Sequence, residues 1–181
     1  MVYAPGLEDK RHERFCKQAR SDLVEWRASK KDRALVEYDD GQVFVVDAGS
    51  ERFAKLGKLL RTELGTCADD GAAARTMFAF VLDGAVVGCV VTERIAEAYE
   101  SRADNVLHRA SPKPARLGVA QMWVHSAHRR KGIAARLVDV ARAHDAYPAA
   151  VPKSLVAFSQ PTLFGALFAS AYHKGKVLVY G

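Results

Sequence analysis

Apolar residues recur along this chain in two rhythms, strict alternation and the helical period, and the switches between them mark out its elements. Leu35-Val36-Glu37-Tyr38 and Val43-Phe44-Val45-Val46 flank Asp39-Asp40-Gly41, a turn signal, so residues 33–48 are expected to form a hairpin. Phe53, Leu56, Leu59 and Leu60 then recur at helical spacing, between a capping residue, Ser50, and a stop at Gly65. A second hairpin is predicted from residues 77–82 and 85–95 across Asp83-Gly84. Its second arm, Val86-Val87-Gly88-Cys89-Val90-Val91, is almost wholly apolar and suits a strand covered on both faces. Residues 97–116 are polar, carry Pro112 and Pro114, and read as a long surface loop.

The pattern resumes with a central strand over residues 118–125 and a helix from about Gly132 to His144, whose stripe is Ile133, Leu137, Val140, Ala141 and His144. Residues 155–158 form a short strand. Pro161 opens a helix running through Leu163, Leu167 and Phe168 to Tyr172 and ending near Gly175, and residues 177–180 close as a strand. Residues 7–19, highly charged, are expected to be helical. This order implies an α/β (α+β) fold: a mixed central sheet with helices on both faces.

With 181 residues, half of them apolar, the chain suits one compact domain with at most a small appendage. No apolar run approaches a membrane span and no signal peptide opens the chain, so an intracellular protein without membrane contact is expected. Three cysteines, an odd and sparse set, suggest a reducing compartment rather than a disulfide framework. The net charge of +6 favours acidic partners: nucleic acid, chromatin or a polyanionic cofactor.

The strongest chemical signal is the strand–turn–helix at residues 121–144. Met122-Trp123-Val124 delivers the chain to Arg129-Arg130-Lys131-Gly132-Ile133-Ala134, where a helix begins. The first amides of a helix have no intrahelical acceptor and sit at the positive end of its dipole, which makes them a phosphate site. Gly132 and Ala134 keep bulk away from those amides, and the three cations add countercharge. Taken alone, Arg-x-x-Gly-x-Ala also fits a basic turn before an ordinary amphipathic helix; its place between a central strand and a long helix favours phosphate.

These residues resemble the acetyl-CoA signature of the GNAT acetyltransferases. The likeness is sharper still to the cohesion-establishment (Eco/ESCO-type) lysine acetyltransferases. It rests on Trp123-Val124-His125-Ser126, the basic turn, Ala157-Phe158-Ser159, Pro161-Thr162, Leu167-Phe168-Ala169 and Val179-Tyr180, with Val86-Val87-Gly88-Cys89 similar to that family's strand before its long loop. The resemblance implies a GNAT domain over residues 21–181 that binds acetyl-CoA. The cofactor would touch Met122, Trp123 and Val124, the turn from Arg129, Arg130, Lys131, Gly132, Ile133 and Ala134 to Ala135, and Phe158, Ser159 and Phe168. That family acetylates lysines on the cohesin ATPase head, so the resemblance also implies a nuclear, chromatin-associated enzyme acting on a chromosomal protein. At the amino end, Met1-Val2-Tyr3 and then His12-x-x-x-Cys16 resemble the family's zinc finger just after its Cys-x-x-Cys pair. Residues 1–20 are therefore read as a helical remnant of a zinc-finger segment. The first two ligands are absent, so no metal site is assigned.

Acetyl transfer to an amine needs a proton acceptor, donors for the developing oxyanion and, for the leaving thiolate, an acid. The family's important Ser and Asp fall at Ala120 and Gln160 here, and Gly118, Val119, Ala120 and Gln121 offer no carboxylate. Three candidates remain. Asp139 matches an acidic residue of the family and would bind or deprotonate the lysine, or simply be solvated. His125 leaves the strand near the cofactor with a suitable intrinsic pKa, though the family's aromatic residue there suggests packing. Tyr172 lies where many GNAT enzymes hold a thiolate acid. Trp26 and Trp123 are expected to pack, Glu93 to anchor the long loop, and His108 and Lys113 are candidate substrate contacts. The leading function is lysine acetylation of a cohesin subunit or, in a divergent kinetochore relative, a histone tail. An acetyl-CoA-binding pseudoenzyme or chromatin interaction module stands against it, as does a small-molecule acetyltransferase.

Overall fold

In the computed structural model the described residues are 23–29, 32–65, 75–101, 111–145, 149–159, 161–174 and 176–181. The helix expected over residues 7–19, with His12 and Cys16, lies outside them, as do His108 and Gln160. The described elements are β1 (Val36–Tyr38), β2 (Gly41–Val46), α1 (Glu51–Leu64), β3 (Arg75–Leu82), β4 (Ala85–Arg94), β5 (Glu97–Ser101), β6 (Lys113–Pro114), β7 (Leu117–Val124), α2 (Ile133–Asp145), β8 (Val156–Ser159), α3 (Leu163–His173) and β9 (Val177–Tyr180). The strands form one mixed sheet in the order β1-β2-β3-β4-β7-β8-β9-β5-β6. Its β7–β8 and β8–β9 pairs are parallel.

Local chemistry explains the helix ends. The Ser50 hydroxyl accepts from the Phe53 amide at 3.1 Å, and Gly65, at φ +83°, donates its N–H to Arg61. Lys174 closes α3 in the left-handed conformation, φ 55°, the role a glycine more often takes.

Strands β2, β3 and β4 alternate between two cores. On one face Leu56 and Leu60 of α1 pack over Phe44, Met77, Ala79 and Cys89. On the other, Ile133, Leu137 and Val138 of α2 and Ala169 and Tyr172 of α3 cover Phe78, Phe80 and Val90. Helices thus lie on both faces, as the patterning implied. On α3, however, Leu163 and Leu167 are 75% and 60% exposed; the buried side carries Ala169 and Tyr172.

The long surface loop expected over residues 97–116 is not all loop. Tyr99, Glu100 and Ser101 of β5 pair antiparallel with β9, and Lys113 and Pro114 pair with β5. Only Ala98 of β5 is buried, so this strand, one in from the edge, has almost no apolar pattern, and Pro114 of β6 sits where an edge tolerates it. No described helix is long and apolar enough to cross a membrane.

Gly88 positions α2. A Cβ there would lie 2.9 Å from Ile133 Cγ2 and 3.4 Å from Leu137 Cδ1, so its absence lets the start of α2 rest on β4. Replacing Gly88 with Val should destabilise the fold by about 1–3 kcal/mol through overpacking, read as a lower denaturant midpoint at unchanged slope; an unshifted midpoint would show that α2 yields freely.

Candidate active site

The sheet opens in its middle. β7 and β8 pair only at Leu117–Val156, Gly118–Ala157 and Val119–Phe158, yet β7 continues to Val124. Its other edge stays on β4 as far as Val124–Gly88, after a register shift that places Ala120 opposite no partner. The His125 amide donates to Val87 at 2.9 Å, so by alternation the backbone groups of Trp123 face β4 and those of Met122 and Val124 face the opening. The side chains of this strand do other work. Trp123 is buried on the α1 face and donates from Nε1 to Glu63 at 3.2 Å.

Beyond β7, a single 3₁₀ turn (Ser126–His128) leads into the basic segment. Arg130 and Gly132 both adopt positive φ, 62° and 78°, which curls the chain back toward the sheet. The Gly132 carbonyl accepts from the Arg136 amide at 3.1 Å, so α2 starts with the amides of Ile133, Ala134 and Ala135 free of intrahelical acceptors. Ile133 is buried in the core, while Arg129, Arg130, Lys131 and Gly132 are exposed. Arg129 Nε donates to the Val124 carbonyl at 2.9 Å, at the mouth of the opening.

A brace holds this turn. The Arg136 guanidinium lies 4.9 Å from the Tyr38 ring centroid and pairs with Asp40, Nη2 to Oδ2 being 3.0 Å, while Nη2 also donates to the Lys131 carbonyl at 2.8 Å. Hydrogen bonding to Arg136 holds the Asp40 carboxyl below the usual range, and the Arg136 pKa rises in turn. No local pattern signals a pair 96 residues apart.

Two of the three catalytic candidates meet. The Tyr172 hydroxyl donates to Asp139 Oδ1 at 2.5 Å, and Arg142 Nη1 donates to the same oxygen at 2.6 Å. Lys153 Nζ lies 4.4 Å from the Tyr172 ring centroid. Burial pushes the Tyr172 phenol well above its ordinary value, with the bond to Asp139 adding to the rise. His125 stands apart at the end of β7, its ring 6.1 Å from Trp123 and 5.8 Å from His128, with Nδ1 buried and without a hydrogen-bond partner. Phe158 is buried, 6.0 Å from Phe168, which stacks on Tyr172 at 5.6 Å; Ser159 ends β8, half-buried. Cys89 is no nucleophile: burial pushes its thiol up to about 12.

A second polar cluster, not anticipated as such, lies on the α1 side of the sheet. Glu93 of β4 accepts from Tyr180 Oη at 2.7 Å and from Arg75 Nε at 3.1 Å. The Tyr180 ring lies so close over Gly118 that a Cβ there would be 2.6 Å from it.

Known proteins are similar to this chain in sequence and fold. A family model described as ESCO1/2 acetyl-transferase matches residues 113–180. N-acetyltransferase ESCO2 of Danio rerio is 31% identical over 186 residues, 89% of this chain and 30% of that protein. N-acetyltransferase ESCO1 of Homo sapiens is 29% identical over 187 residues, 87% of this chain and 22% of that protein. The solved structure of the xEco2 acetyltransferase domain bound to a K105–CoA conjugate is similar at a TM-score of 0.74 and 32% identity, covering 84% of this chain and 98% of that one.

The chain belongs to the ESCO/Eco1 acetyltransferase family. It spans less than a third of its full-length ESCO relatives and nearly all of the xEco2 domain. Within this ESCO/Eco1 frame, Ala120 turns a methyl group into the α1-side core, and Asp139 shares one oxygen between Arg142 and Tyr172.

The Asp139–Tyr172 bond has a measurable signature. Tyr172→Phe should cost about 1 kcal/mol at pH 7. A raised tyrosine pKa contributes stability that is complete below the unfolded value, near pH 10, and is lost as pH rises through the folded one. The gap between wild type and variant in urea unfolding should therefore hold up to about pH 10 and narrow above it; an unchanged gap at higher pH refutes the assignment.

Proposed function

We propose that this chain is a protein-lysine N-acetyltransferase that uses acetyl-CoA. The observation that carries the reading is the opening between β7 and β8 beside a helix start with free amides. A strand edge exposed in mid-sheet leaves backbone donors and acceptors unanswered, and an extended, amide-bearing molecule such as pantetheine answers them. Met122 carries such groups, as does the amide of Val124, whose carbonyl accepts from Arg129 Nε. The amides of Ile133, Ala134 and Ala135 receive the pyrophosphate, and Arg129, Arg130 and Lys131 neutralise it. Gly132 fits this task, since the space where a Cβ would stand is open but for Arg136 Nε at 3.8 Å. Trp123, Phe158, Ser159 and Phe168 hold the walls. The lysine–CoA conjugate carried by the similar xEco2 domain supports the same chemistry here.

Acetyl-CoA supplies the acetyl group as an activated thioester. The protein's part is to align it with a neutral amine and to handle two protons. Tyr172, held protonated by burial, is the acid for the leaving sulfur: its one hydroxyl proton, given to Asp139 at rest, turns to the sulfur as the C–S bond breaks, while Arg142 holds the phenol oxygen. His125, at the mouth of the opening, supports the strand end. The substrate is a lysine of a chromosomal protein in the nucleus, on cohesin or on a histone tail. Incubation with cohesin-head and histone-tail peptides, followed by mass spectrometry, separates these two.

A second reading has one observation in its favour. Ala120 leaves a methyl group where the resemblance to the family implies a Ser, as expected of a cofactor-binding pseudoenzyme in a chromatin or kinetochore assembly. Acetyl-CoA binding without transfer to any chromosomal peptide would select it.

Gly132→Glu places negative charge, and a side chain at φ +78°, where phosphate should sit. Its acetyl-CoA affinity by calorimetry should fall about 100-fold or more, equivalent to ~3 kcal/mol, because both the amides and the countercharge are spoiled. Retained affinity would overturn the site.

A further inference from the structure

We propose that Glu93 is a catalytic residue of the transfer: its carboxylate receives the ammonium group of the incoming lysine and accepts one of its protons. This rests on the acetyltransferase reading of the β7–β8 opening.

The two faces of the sheet are not equivalent around that opening. Helices α2 and α3 cover one of them, and the basic turn at the start of α2 brings the polyanionic end of the cofactor to that side. An acceptor must then reach the acetyl group from the opposite face. There α1 packs over β2, β3, β4 and the Trp123 end of β7, while the other end of β7 and the facing part of β8 carry Gly118 and Ala157, with Leu178 and Tyr180 on β9. The last paired residues before the strands part are Val119 and Phe158, and one pair earlier stand Gly118 and Ala157. Gly118 pairs on its other side with Glu93. One register position therefore carries Arg75, Glu93, Gly118 and Ala157 across β3, β4, β7 and β8, a single step from the divergence.

Glu93 is built into that row. Its side chain is 10% exposed and takes one donor on each oxygen, from Arg75 and from Tyr180. Each carboxylate oxygen still has a lone pair for a third donor. Tyr180 reaches Glu93 only because Gly118 has no side chain beneath its ring. The charged and titratable groups facing Glu93 are thus Arg75 of β3 and Tyr180 of β9, and β7 contributes neither. Other acids do not fill this place. Gly118, Val119 and Ala120 carry no carboxylate, and Asp139 is engaged by Arg142 and Tyr172 on the far side of the sheet.

The ammonium gives one proton to Glu93 and the neutral nitrogen attacks the thioester carbonyl. The N–C bond forms, the C–S bond breaks, and the second proton leaves with sulfur as the CoA thiol. Glu93 returns its proton to water.

The test compares wild type with Glu93→Gln, Glu93→Asp and Tyr180→Phe. In Glu93→Gln, acetyl-CoA affinity by calorimetry should stay within about twofold while kcat falls about 100-fold. The affinity of an unmodified lysine peptide for the CoA-loaded protein should drop about fivefold or more, because the carboxylate that meets its charge is gone. Glu93→Asp should restore part of kcat. Tyr180→Phe keeps the ring over Gly118 but removes a donor that fixes the carboxylate, so kcat should fall about fivefold or more while the KM for acetyl-CoA stays within about twofold. A wild type that transfers acetyl while Glu93→Gln keeps both kcat and peptide affinity overturns this inference alone. A wild type that transfers to no lysine peptide overturns the acetyltransferase reading and this inference with it. If Glu93→Gln does not fold, an unchanged kcat in Tyr180→Phe overturns the role of Glu93.

Discussion

A β-sheet that stops pairing in its own interior must have something else to pair with. β7 is held along one edge by β4 over its whole length and loses β8 after Val119. Backbone groups so placed are costly to leave unanswered, and a strand edge held rigid in this way suits an extended partner. The remaining features follow from keeping that edge straight and its far end positively charged. Gly88 lets α2 sit directly on β4, Ile133 pins the first turn of that helix into the core, and Arg136 ties the turn to the β1–β2 hairpin through Asp40. Rigidity comes from packing on one side of the turn, and exposed cations occupy the other.

The sheet also divides labour between its faces. The α2–α3 side carries the helix start and the closed Asp139–Tyr172–Arg142 group, and the α1 side carries Trp123 and the Glu93–Tyr180–Arg75 row. In the transfer proposed above, acetyl passes from a bulky nucleotide thioester to a lysine, and the two reactants have to be kept from colliding. Threading one reactant between strands and admitting the other from the opposite face achieves this without any moving part. The exposed Leu163, Phe164 and Leu167 on α3 belong to neither arrangement.

Much of this was legible in the residues because it is local. The Ser50 cap, the Asp83-Gly84 turn, the apolar run of β4 and the stripe of α2 are each written within a few positions of one another, where short-range sterics and periodicity act. The basic glycine turn is equally local, since a positive φ and a helix start need only adjacent residues. β5 was missed for the opposite reason. Its partner β9 lies about eighty residues further on, and with Ala98 alone buried it carries no stripe to betray it.

Composition and spacing thus determined the order of most elements, the two-sided core and the basic glycine turn at the start of α2. Only the tertiary structure decided which polar groups meet. Asp139 and Tyr172 are 33 residues apart, Glu93 and Tyr180 are 87 apart, and Asp40 and Arg136 are 96 apart. Such pairs depend on strand order and on which face each side chain takes, and both are settled when the whole sheet assembles. A hydrogen bond has a reach of about 3 Å, so it reports where the chain has folded to rather than what lies nearby in sequence.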